Sequence, residues 1–170
     1  PAILVHLNGI KDRWAKVDVA AGRLVDNEQS LTTLAKGLES INQGNNVVLE
    51  LSQQAAQQIG QGGGTLREVE FAHQLAVLSQ RIAKNANAIA SGDEVDPEVA
   101  FLLGKDTGTF RDVLTGLTRG SEPLRLAAVR SEDARATLGE LAKRFASYEQ
   151  GVNAILQNMQ RLTIAKQSAR

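Results

Sequence analysis

The chain contains no cysteine. Disulfides, thiol nucleophiles and cysteine-ligated zinc are therefore excluded. Aromatic residues are scarce, with four Phe, one Trp and one Tyr among 170 residues, and there are only three prolines. Sheets draw on aromatic and β-branched residues, so this composition favours helices packed through Leu, Val, Ile and Ala. Charge of either sign is not in excess: 19 Lys+Arg face 19 Asp+Glu. A nucleic-acid groove or a membrane-hugging basic face calls for a surplus that is not there. Two histidines leave little for a catalytic metal or a charge-relay triad. No serine has a histidine partner in sequence context, and no carboxylates form an acid/base dyad. The expectation is a non-enzymatic chain with no cofactor and no metal. No signal peptide and no run of eighteen apolar residues is present. The first residue is Pro1, and Ile3 already lies on an apolar stripe. We therefore expect a piece of a longer protein.

The residues that are present read as five helical segments. The first runs from about Ala2 to Val25, with Ile3, Leu7, Ile10, Trp14, Val17, Ala21 and Leu24 on an unbroken heptad seam. Asp26-Asn27-Glu28 is expected to break it, with Asp26 and Gln29 forming a capping box for the next segment. That segment, from about Glu28 to Ile59, carries Leu31, Leu34, Leu38, Ile41, Asn45, Val48, Ser52, Ala55 and Ile59 on its seam. Gly60 to Gly64 stops it. Thr65 to Ser91 follows, opened by the capping box Thr65-Leu66-Arg67-Glu68, with Phe71, Leu75, Leu78, Ile82, Asn85 and Ile89 in line. Asp96 caps a fourth segment, Pro97 to Thr118, where Pro97 takes the first helical position. Its seam is Val99, Leu103, Asp106, Phe110, Val113 and Leu117. A connector over 119–130, tucked onto the bundle, leads to Ser131, which caps the last helix. There the seam from Ala134 through Leu138, Leu141, Phe145, Tyr148, Val152, Ile155 and Met159 to Leu162 runs without a fault. Long helices with a period near 3.5 and short connections pack antiparallel. The predicted fold is an all-α, elongated antiparallel bundle.

The heptapeptide Leu78-Ser79-Gln80-Arg81-Ile82-Ala83-Lys84 resembles the core of the PilJ-type sensor module, the ligand-binding unit of type IV pilus chemotaxis transducers. The resemblance extends over roughly 65–165. It takes in the acidic loop Ser91 to Pro97, the helix ending Phe110-Arg111-Asp112-Val113-Leu114-Thr115-Gly116-Leu117, and the long helix centred on Phe145-Ala146-Ser147-Tyr148. Residues 1–60 look like the last helices of a preceding module plus a connecting helix, with Trp14 where such modules often carry a Trp. The resemblance implies a periplasmic domain of an inner-membrane protein, anchored through its parent chain. It implies a homodimer, and the major pilin subunit as partner or stimulus. In related nitrate sensors an Arg before this heptapeptide meets the anion. Here the slot is Ala76, within His73-Gln74-Leu75-Ala76-Val77, so nitrate reading is not expected.

Four seam positions are polar: Asn45, Ser52, Asn85 and Asp106. Such residues commonly fix helix register; the alternative is a polar pocket at mid-bundle. Antiparallel pairing sets Arg81 opposite Asp106, and a buried carboxylate needs a partner. Folding about Gly62 sets Asn45 near Ser79 in the same layer. Arg81 lies at the edge of its apolar face, in line with Gln74 and Asn85. The candidate ligand-binding set is Gln74, Arg81, Asn85, Asp106 and Asn45, against a purely structural ion pair. His6 and His73 read as surface residues, and Gly104 to Gly108 spells GxxxG outside an apolar segment. Two functions fit: a sensory domain whose last helix is the output rod, or a structural coiled-coil spacer.

Overall fold

A computed structural model describes residues 2–91 and 96–168, with side chains given for most residues between 28 and 159. The described chain is helical throughout apart from short connections: α1 (Ala2–Gln61), α2 (Leu66–Ser91), α3 (Pro97–Arg119) and α4 (Glu132–Ser168). The all-α bundle expected from the heptad spacing is what forms. Among the described residues the one β-type pairing is an isolated bridge, Ser121 to Leu126, within the connector.

The helix starts follow from their capping residues. At α2 the Thr65 hydroxyl accepts from Glu68 N at 3.3 Å, while Glu68 Oε2 accepts from Thr65 N at 2.8 Å, the reciprocal exchange of a capping box. At α3 Asp96 Oδ1 accepts from Glu98 N at 2.8 Å and Pro97 takes the first turn. At α4 the Ser131 hydroxyl accepts from Ala134 N. Between α1 and α2, Gly63 adopts a φ of +76°, which an L side chain would strain. The turn is tight enough that a Cβ on Gly64 would lie 2.4 Å from Ile59 Cγ2.

One expected boundary is not there. The helix runs through Asp26-Asn27-Glu28 without interruption, giving α1 its 60 residues, so Asp26 and Gln29 have no helix start to cap. The stretch holds neither Gly nor Pro. Asp and Asn cost only tenths of a kcal/mol inside a helix that is already nucleated. Three positions of the expected α1 seams are also corrected. Trp14 is 65% exposed, and Val17 and Leu31 are exposed as well. The rest of the second expected seam forms: Ile41, Val48, Ser52, Ala55 and Ile59 are buried and Leu34, Leu38 and Asn45 half-buried, with Ser30 and Gly37 buried beside them. At Gly37 and Gly151, α1 and α4 cross backbone to backbone. A Cβ on Gly151 would stand 2.7 Å from the Gly37 carbonyl oxygen, and one on Gly37 would stand 2.8 Å from that of Gly151.

The core is one continuous cluster. It runs from Ile41, Val48, Ala55 and Ile59 of α1 through Leu75, Leu78 and Ile82 of α2 and Leu103, Phe110 and Leu117 of α3. It closes on Leu138, Leu141, Phe145, Tyr148, Val152 and Ile155 of α4. The second half of α1 thus shares its core with the other three helices. Leu126 and Val129 of the connector are buried against it, as expected. Residues 92–95 of the acidic loop lie outside the described residues, as do the side chains of Leu162, His6 and most of the first α1 seam.

Candidate functional site

The heptapeptide Leu78 to Lys84 occupies the middle of α2, and two of its residues tie α2 to its neighbours. On one side, Arg81 Nη2 lies 2.9 Å from Asp106 Oδ1 of α3. This is the pairing that the antiparallel register predicts. The partners differ sharply in surroundings: the Arg81 side chain is 51% exposed and that of Asp106 is 4% exposed. Asp106 Oδ2 is buried with no hydrogen-bond partner. An unsatisfied buried acceptor typically costs about 1–3 kcal/mol, and more when charged, so the ion pair is only half complete.

On the other side, the Tyr148 hydroxyl of α4 donates to the Ser79 carbonyl oxygen at 3.0 Å. It also lies 3.4 Å from Asn45 Oδ1 of α1. Asn45 and Ser79 do fall in one layer, and Tyr148 bridges them. Burial pushes the Tyr148 phenol above its ordinary pKa, because the phenolate would lose its hydration. The ring continues an aromatic run. Phe110 of α3 stacks on Phe145 of α4 with centroids 4.1 Å apart, and Phe145 on Tyr148 at 6.0 Å. Residues 79 and 81 of α2 therefore anchor a polar clasp that joins all four helices at one level.

Of the five candidate residues, Arg81, Asp106 and Asn45 belong to this clasp. Gln74 is exposed and Asn85 half-buried, and no hydrogen bond joins either to it among the described residues. Ser52 is buried and satisfied within α1, its hydroxyl donating to the Val48 carbonyl at 2.6 Å. Ala76 is buried. His73 is exposed, as expected. The GxxxG stretch makes no close helix approach: a Cβ on Gly108 would meet nothing within 4 Å, and one on Gly104 only a leucine methyl at 3.7 Å.

Several contacts carry no signal in the local sequence. Asn42 of α1 and Asn87 of α2 exchange side-chain amide hydrogen bonds at 3.2 and 2.8 Å. Arg111 of α3 pairs with Glu149 of α4, and that hydrogen bond raises the Arg111 pKa. Both are pairs of polar surface residues on different helices, and no short-range spacing signals them. A cavity of about 180 Å³ opens where the α1–α2 turn meets the connector, lined among others by Gly64, Glu68, Arg130 and Ser131. Its helix-capping groups are already engaged. Among the described residues no group of three His, Asp or Glu could hold a metal ion. No described helix is long and apolar enough to cross a membrane.

No protein-family model matches the chain, and no curated protein matches it.

Proposed function

We propose that the chain is a periplasmic sensory domain of a type IV pilus chemoreceptor, held at the inner membrane through its parent protein. The observation that carries this reading is the heptapeptide Leu78 to Lys84. Its resemblance to the PilJ-type core falls on the stretch of α2 whose Ser79 and Arg81 join the four helices. A sensor needs a place where one event is felt by every helix, and a polar layer in an otherwise apolar core has that property. Packed helices have discrete arrangements, and a stimulus shifts them only through its differential affinity for those arrangements. The long helix α4, entering the clasp through Tyr148, is the output rod in this reading. The domain works as a homodimer, with the major pilin subunit as candidate partner and no chemistry of its own.

The test is co-purification of the domain with the soluble major pilin, using the parent domain beside Arg81→Ala and Asp106→Ala and recording melting temperatures. Binding by the parent is expected. Loss of binding in a variant that is still folded at the assay temperature places recognition at the clasp. Binding by all three places it elsewhere and leaves the Arg81 pair structural. No binding by any refutes the pilin as partner and favours a passive spacer, a reading to which the uninterrupted 60-residue α1 also lends itself.

A further inference from the structure

The α3 segment that carries Asp106, Gly104-Lys105-Asp106-Thr107-Gly108-Thr109, is made of poor helix formers apart from Lys105. Two glycines in a helix interior weaken it. No neighbour explains Gly108, whose missing Cβ would face open space. The Thr107 and Thr109 hydroxyls donate to the carbonyls of Leu103 and Lys105, four residues back, at 2.7 and 2.9 Å. Such back-bonding draws on the helix ladder and tends to bend it. The same segment holds the half-satisfied carboxylate, with Oδ2 unpartnered in the core. Arg81, by contrast, stands half-exposed at the rim with one N–H group engaged and others to offer.

We propose that residues 104–109 form a yielding segment loaded by the buried carboxylate. There α3 rolls to a second position in which Asp106 Oδ2 comes out to the rim and meets the remaining N–H groups of Arg81 and water. The roll would carry Phe110, stacked on Phe145, and so act on α4. This inference goes beyond the sensory reading and does not depend on it.

Amide hydrogen exchange on the whole chain tests it. Residues 104–110 should exchange about tenfold faster than residues 75–86 of α2. Replacing both glycines (Gly104→Ala with Gly108→Ala) introduces no clash and should slow that exchange about tenfold. Asp106→Leu, which removes the load, should slow it too. Exchange at 104–110 no faster than in α2 would overturn the proposal. So would faster exchange in a folded Asp106→Leu chain, because the carboxylate would then be holding α3 in place. If Asp106→Leu does not fold, the glycine pair decides alone, and unchanged exchange refutes the yielding segment.

Discussion

The Arg81–Asp106 contact predicts an asymmetry that an ordinary surface ion pair would not show. One 2.9 Å contact joins a half-exposed guanidinium to a carboxylate with 4% of its side chain exposed. Arg81→Met removes the only partner that Asp106 has among the described residues and leaves a charge in the core. Stranding a buried charge this way costs about 3–5 kcal/mol. For a chain of this size, 1 kcal/mol corresponds to about 2–4 °C of melting temperature, so the lower bound is a drop of about 6–12 °C. Asp106→Leu breaks the same contact from the other end. Arg81 then returns to water, and Oδ2 no longer needs a partner. Stability should stay within about 1 kcal/mol of the parent, or rise. The double variant should resemble Asp106→Leu, because once the carboxylate is gone Arg81 has no charge to neutralise. Thermal and urea melts followed by circular dichroism read all three. Equal losses for the two single variants would refute the argument, since they would mean that the carboxylate is solvated.

Tyr148 gives a pH limb. Its folded-state pKa stands above the ordinary value of 10.0, so above that pH the unfolded chain loses a proton that the native chain keeps. Stability should be intact below pH 10 and fall above it by about 1.4 kcal/mol per pH unit. Tyr148→Phe should flatten that limb. Tyrosinate absorbance isolates the group, because the chain has one tyrosine; a phenol that titrates near pH 10 in the folded chain would contradict its burial. At the α1–α4 crossing, Gly151→Ala sets a Cβ 2.7 Å from the Gly37 carbonyl oxygen and should destabilise by about 1–3 kcal/mol. Gly139→Ala, with open space around the new carbon, should stabilise by up to about 1 kcal/mol. Melts that fail to separate the two variants would remove the crossing as a tight contact.

The sequence was most legible where one short-range rule acts alone. The caps of α2, α3 and α4 were all readable, because Thr65, Asp96 and Ser131 act on amides two or three residues away. The α4 seam held from Ala134 to Met159, because an unbroken heptad leaves one apolar face. The Arg81–Asp106 register also followed, since a short loop fixes which residues of two antiparallel helices meet. It failed where a weak local signal met a long-range one. Asp26-Asn27-Glu28 looks like a boundary by propensity, yet helix propagation carries through it. Leu31 looks like core by spacing, yet it is exposed, and the Gly37–Gly151 crossing has no mark in the heptad pattern. Glycine's role there comes from a neighbour over a hundred residues away, and no window of local sequence contains it. Tyr148 was readable as an apolar seam residue; its hydroxyl, which completes the clasp, takes its meaning from Ser79 on another helix.

The glycine crossing also sets the mechanics of α1. Gly37 divides the helix unequally, with about 52 Å of rod toward Ala2 and about 36 Å toward Gln61 at 1.5 Å per residue. Contact between two backbones, with no side chain between them, makes a fulcrum. A tilt of about 5° there would sweep the far end of the longer arm through about 4–5 Å on that length. Events at the clasp, on the shorter arm, would reach that end as larger displacements.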